Sequence, residues 1–168
     1  MRKFADLSLT ALHQLYGSRR AQPGEVITAL YDRMGSGRPD WIFLRPRDEA
    51  MAACAEVERR RAAGETLPLY GIPFGVKDNI DVVGMPTTAA CPAFSRLPSR
   101  SARSVETLLK AGAICLGKTN LDQFATGLSG TRSPYGACSS IGNPLYISGG
   151  SSSGSAVAVA AGHVSFTL

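Results

Sequence analysis

The chain has 168 residues, 44% of them hydrophobic and 18% charged, with a formal net charge of +5. That length suffices for one domain with its own core, and the composition is that of a globular chain, not a disordered one. The positive balance forms no nucleic-acid patch: Arg59-Arg60-Arg61 follows Glu56 and Glu58 without interleaved aromatics, so it reads as the solvated face of a helix. No apolar run approaches a membrane span, and Asp6 interrupts any secretory core behind Met1, so no membrane partner is expected. Cys54, Cys91, Cys115 and Cys138 are widely spaced without a C-x-x-C pair, which gives no support to a metal site. Cys54 and Cys115 lie in apolar contexts and read as buried free thiols, pointing to a reducing cytoplasm.

Residues 1–65 read as a helical N-terminal segment. Pro23 suits a first helical turn, and Val26, Ile27, Leu30 and Met34 recur at helical spacing until Gly35. Arg38-Pro39-Asp40 reads as a turn into a short extended run, Trp41–Leu44. Asp48 to Ala63 carries Met51, Cys54 and Val57 on one face, with Gly64 as the residue that ends the helix. From residue 66 onward, apolar runs alternate with helical stretches: "GIPFGVKDNIDV", a helix over Ser104–Lys110, "AICLG", and a short helix near Leu121–Thr126. A Gly/Ser loop, a helix of small residues and "HVSFTL" complete the pattern. Such alternation predicts an α/β fold, a sheet covered by helices. Val164–Leu168 reads as a strand entering a core, so the chain is expected to be interrupted there.

The stretch "ISGGSSSGSAVAVAAG" admits several readings. A flexible linker would not run straight into Ala156–Ala161 with Val157 and Val159 among the small residues. A phosphate loop needs lysine followed by Ser or Thr at the helix start, where Ser155-Ala156 stands. Gly150-Ser151-Ser152-Ser153-Gly154 satisfies the nucleophile-elbow pattern with Ser152 at its centre. Only His163 follows it, however, and no acidic residue lies beyond Asp122 to orient that histidine, while His13 reads as structural. A serine hydrolase without histidine needs another base, and a lysine kept neutral by burial serves. Lys77, at the end of Ile72–Val76, fits by context; equally, it reads as a strand-end lysine paired with Asp78 or Asp81.

Four segments together, "GIPFGVKDNIDVVGMPTT", "AGAICLGKTNLDQFATG", "TRSPYG" and "SGGSSSGSAVAVAAG", resemble the amidase signature family, and "PTTAACPAF" resembles its allophanate hydrolase members. The resemblance covers residues 67–168 and implies the first part of an amidase-signature core with a mixed β-sheet. It implies a Ser–cis-Ser–Lys triad in which Lys77, from "VKDN", is the base. Ser151, joined to Gly150 by a cis bond, is the bridging serine. The attacking serine would lie in a following G-T-D-[TI]-[GA]-G-S segment beyond Leu168. On this reading the chain is an N-terminal portion lacking the nucleophile, and Ser152, Ser153 and Ser155 are loop and helix-cap groups. Ser129 and Gly130 in "GLSG" are expected to line the substrate pocket. Relatives commonly begin the helix after Ser101-Ala102 with an acidic residue, so Arg103 is expected to alter its capping.

The implied function is hydrolysis of a small-molecule amide, allophanate in urea degradation, without a cofactor. A non-catalytic fragment or interaction module derived from such an enzyme is the alternative, its open edge covered by the remaining portion or by another copy. A third reading, a histidine-dependent esterase, would use Ser152 and His163.

Overall fold

The computed structural model describes residues 4–34 and 39–168; Gly35 and Arg38, which the sequence assigns to a helix stop and a turn, lie outside them. Two helices, α1 (Leu9–Gly17) and α2 (Pro23–Met34), precede strand β1 (Trp41–Leu44) and the long helix α3 (Arg47–Ala62). Pro23 opens α2, where its missing N–H costs no intrahelical bond, and its apolar stripe Val26, Ile27, Leu30 and Met34 is buried. Helix α3 ends as anticipated, with Gly64 at φ 89°.

Then come β2 (Pro73–Lys77), α4 (Arg103–Lys110), β3 (Ile114–Thr119), α5 (Ser153–Ala160) and β4 (Phe166–Thr167). The sheet order is β1-β3-β2-β4, with β1 antiparallel to β3 and the other pairs parallel, so the sheet is mixed. The helical first third thus contributes an edge strand to the sheet that the later segments build. Helices cover both faces. Leu12, Ile27, Leu30 and Cys54 pack with Ile72, Ile114, Leu116 and Ala158 on one side. On the other, Val105 of α4 packs with Phe74, Val76, Val82, Met85 and Cys115. The rings of Phe74 and Phe166 stack at 5.4 Å and hold β4 against β2.

One local expectation is corrected. The stretch near Leu121–Thr126 forms only a 3₁₀ turn, Gln123–Ala125, with Phe124 at φ 51° and Ala125 at φ 58°. Two successive left-handed residues cannot continue an α-helix, and the Gln123 and Phe124 N–H groups bond to the Arg132 and Ala89 carbonyls instead. At α4, the cap position is Ala102, with no side-chain cap; the Ser101 hydroxyl instead accepts the Val83 N–H at 2.9 Å.

Candidate active site

Side chains alternate across a strand, and this places Lys77. Phe74 and Val76 turn into the α4 side, whereas Gly75 faces Thr119 and Thr167, and Lys77 shares its direction. Helix α5 packs on that same side against β2, β3 and β4, and Thr119 Oγ1 meets Ser155 Oγ at 2.7 Å. The first turn of α5 comes close because Gly154 has no side chain: a Cβ there would fall onto the Asp40 carbonyl and the Asn120 nitrogen. The Gly154 N–H donates to the Asn120 carbonyl at 3.0 Å, which docks the helix on the end of β3.

This arrangement brings the loop before α5 over the end of β2. Lys77 Nζ donates to Ser151 Oγ at 2.7 Å. The Gly150–Ser151 peptide bond is cis. Three hydrogen bonds hold the turn: Gly150 N–H to the Leu128 carbonyl at 2.9 Å, Asp122 N–H to the Ser151 carbonyl at 3.0 Å, and Ser148 N–H to the Cys138 carbonyl at 3.0 Å. Burial lowers the pKa of Lys77 below its ordinary value, and the carboxylate of Asp122 opposes that shift.

The two carboxylates suggested as partners for Lys77 are engaged elsewhere. Asp78 forms a wholly buried ion pair with Lys118 at 2.8 Å. Lys118 Nζ also donates to the Pro86 carbonyl and to Thr87 Oγ1, both at 3.0 Å. Asp78 accepts the N–H and the hydroxyl of Thr88. Asp81 pairs with Arg96 at 2.8 Å.

The serines divide by environment. Ser152 occupies the cap position of α5, and its exposed side chain makes no capping hydrogen bond. The Ser153 hydroxyl is buried with no hydrogen-bond partner among the described residues, and Ser155 ties α5 to β3. Gly130 packs against Gly149 and Ser153, and its N–H donates to Asp122 at 3.0 Å. Ser129 and Thr131 share a hydroxyl hydrogen bond of 2.6 Å at the surface.

His163 does have an acidic partner, contrary to the sequence reading. Its Nδ1 lies 3.0 Å from Asp40 Oδ2, and both residues are buried. The partner comes from far upstream, so no local pattern signals it. Ser152 is exposed at the start of α5, and no hydrogen bond joins it to the buried His163 among the described residues. An esterase dyad between them is therefore not assembled. Among the described residues no three His, Cys, Asp or Glu side chains gather to hold a metal ion. No described helix is long and apolar enough to cross a membrane. The residue that sequence reasoning missed is Asp122, visible there only as the last carboxylate of the chain.

The amidase family matches residues 25–168. The urea amidolyase of Saccharomyces cerevisiae is 54% identical over 128 residues, which are 76% of this chain and 7% of that protein. The structure of Kluyveromyces lactis allophanate hydrolase superposes with a TM-score of 0.80 at 43% identity, over 94% of this chain and 26% of that one. The peptide amidase of Stenotrophomonas maltophilia does so with a TM-score of 0.84 at 33% identity, over 99% of this chain and 36% of that one. The chain thus spans a minor part of each relative's length. With a family match running from the start of α2 to Leu168 and a backbone shared with solved amidases, the chain belongs to the amidase family.

Proposed function

We propose that this chain supplies the base and the proton relay of an amide hydrolysis whose substrate is allophanate. The observation that carries the proposal is the 2.7 Å contact from Lys77 Nζ to Ser151 Oγ. A lysine with a lowered pKa, hydrogen-bonded to a hydroxyl rather than to a carboxylate, is suited to accept a proton through that hydroxyl. In this reading Ser151 gives its proton to neutral Lys77 and takes one from an attacking serine carried by a further segment of a longer enzyme. The serine oxygen bonds to the amide carbon, the C–N bond breaks, and ammonia departs with the relayed proton. Water then hydrolyses the acyl ester and restores both serines. The likeness to urea amidolyase and to allophanate hydrolase supports allophanate over other amides.

Residues 66–168 are in this reading the first part of the amidase core, backed by the helical segment 1–65. Gly130 and Ser129 form a wall of the substrate space, Gly130 closing against the serine turn and Ser129 presenting its hydroxyl at the surface. Four free cysteines suit a reducing cytoplasm.

The test is a chimera in which residues 25–168 replace the corresponding segment of Kluyveromyces lactis allophanate hydrolase. Ammonia release from allophanate is expected, falling roughly 100-fold or more in Lys77→Ala and in Ser151→Ala. A folded, active chimera indifferent to Lys77→Ala would overturn the base assignment. Activity on simple amides with none on allophanate would overturn the substrate alone. A folded chimera inactive on every amide would favour the non-catalytic alternative.

A further inference from the structure

We propose that Asp122 is the positioning residue of the Lys77–Ser151 pair: its main-chain N–H fixes the serine, and its buried carboxylate braces the neighbouring loop and stabilises the lysine's ammonium form once it has taken a proton. The proposal rests on the reading of that pair as a proton relay.

Asp122 lies just after β3, where the chain turns toward the serine loop. Its N–H donates to the Ser151 carbonyl at 3.0 Å, so the residue grips the backbone of the serine whose hydroxyl Lys77 contacts. Its two carboxylate oxygens bond the loop that follows it in the chain. Oδ2 accepts the Gly130 N–H at 3.0 Å and Oδ1 the Arg132 N–H at 2.8 Å. The Leu128 carbonyl completes the ring by accepting the Gly150 N–H at 2.9 Å. One residue, through its main-chain N–H and its carboxylate, therefore links both halves of the site, the GLSG loop and the cis turn.

Two glycines make room for it. A Cβ on Gly150 would fall on Asp122 Oδ2 and on the Gly130 nitrogen; a Cβ on Gly127 would fall on the same carboxylate. The carboxylate is fully buried between them, without a cation in direct contact among the ion pairs of the described residues. Burial alone would raise its pKa, but the Arg132 and Gly130 N–H groups, the charge of Arg132 and the Ser129 N–H together bring it below the ordinary value. It is thus a fixed negative charge at neutral pH.

That charge acts on Lys77. The other charged groups around the amine are accounted for: Asp78 is paired with Lys118, Asp81 with Arg96, and Arg132 faces Asp122. From β4, the Leu168 oxygen accepts the main-chain N–H of Lys77, not its amine. Among the described residues, Asp122 is the group whose charge counters the burial of Lys77. A relay base must be neutral at rest yet basic enough to hold the proton it receives, and a carboxylate fixed nearby stabilises the ammonium when it forms.

The test reads the lysine directly and needs no turnover, so it stands apart from the chimera assay. Lysine labelled with ¹³C at Cε gives signals for Lys3, Lys77, Lys110 and Lys118, with Lys77 assigned by its loss in Lys77→Arg. In Asp122→Asn the Lys77 midpoint is expected to move to lower pH. An unmoved Lys77 midpoint in a folded variant overturns the proposal. Should the variant not fold, the unmodified protein decides. The amide signals of Gly130 and Arg132, which report the Asp122 carboxylate, are expected to inflect at the Lys77 midpoint. Amides without that inflection overturn the proposal equally. A coupled pair by NMR with a chimera indifferent to Lys77→Ala would leave the linkage intact and remove its catalytic meaning.

Discussion

Lys77 and Asp78 are adjacent in the chain, yet their charges serve opposite sides of the sheet: Lys77 reaches Ser151 and Asp78 reaches Lys118. Strand alternation separates them. The consequence is chemical. A lysine in direct contact with its neighbour's carboxylate would hold its proton firmly, whereas Asp78 is already neutralised by a cation from β3. The amine of Lys77 is left to share a proton with a hydroxyl.

The Lys118–Asp78 pair is wholly buried, so removing one partner strands a charge without water. Lys118→Met is expected to cost about 3–5 kcal/mol of stability, the range for breaking a buried pair. Urea denaturation measures it. A loss below about 1 kcal/mol, within the range of ordinary surface changes, would mean that Asp78 re-pairs with another cation, and Lys77 is the nearest in sequence.

Two glycines make a matched test of helix docking. Gly154→Ala puts a methyl onto the Asp40 carbonyl and the Asn120 nitrogen, backbone atoms that cannot yield without moving β3 or α5. A loss of roughly 1–3 kcal/mol is expected, with the Lys77–Ser151 contact loosened as α5 shifts. Gly17, at the end of α1, has nothing within 4 Å of an added Cβ. Gly17→Ala is expected to be neutral or to stabilise by about 0.4–1 kcal/mol, because it restricts the unfolded chain. Equal thermal midpoints for the two variants would contradict the packing argument.

What the sequence makes legible depends on how far apart the interacting residues lie. The apolar stripe of α2, the stop at Gly64 and the strand before Lys77 are local patterns, and each has its counterpart in the structure. The approach of Lys77 to Ser151 crosses 74 positions, and only motif resemblance, not periodicity, points to it. His163 and Asp40 lie 123 positions apart, and no local pattern joins them. The turn at Gln123–Ala125 looked helical because its residue types permit a helix. The carbonyls of Arg132 and Ala89 capture the N–H groups of Gln123 and Phe124, and the backbone turns left-handed at Phe124 and Ala125, tertiary effects that propensity cannot see.

Alkaline stability follows from Cys54. Burial, reinforced by Glu58 and only partly offset by its own backbone hydrogen bond, pushes this thiol from 9.0 up to about 12. Burial likewise raises Tyr31 from 10.0 to about 12. The folded state keeps these protons where the unfolded chain releases them. The thiol's contribution is therefore complete below pH 9.0 and disappears as pH climbs toward about 12. Lys77 acts in the other direction: its lowered pKa means that stability gains as pH rises toward 10.5. One proton amounts to a slope of about 1.4 kcal/mol per pH unit. Unfolding free energies from urea titrations taken from pH 8 upward should fall less steeply in Cys54→Ala than in the unmodified chain, by up to that slope. Parallel curves would mean that the thiol titrates alike in both states.

The serines of the loop are separable by substitution in the chimera. Ser151→Ala removes the hydroxyl that Lys77 contacts and is expected to lower turnover roughly 100-fold or more with the fold retained. Ser152 is exposed and caps nothing, so Ser152→Ala should leave stability within about 0.5 kcal/mol and turnover nearly unchanged. Ser155→Ala breaks the hydroxyl bond to Thr119 and leaves that buried oxygen unpartnered, at a cost of about 1–3 kcal/mol seen in melting rather than in chemistry. The contrast between Ser151 and Ser152 is the informative one, because the two are neighbours in the same glycine-rich turn. Were Ser152→Ala the silencing change and Ser151→Ala the silent one, the serine at the centre of G-x-S-x-G would be the reactive group, and the lysine relay would be wrong.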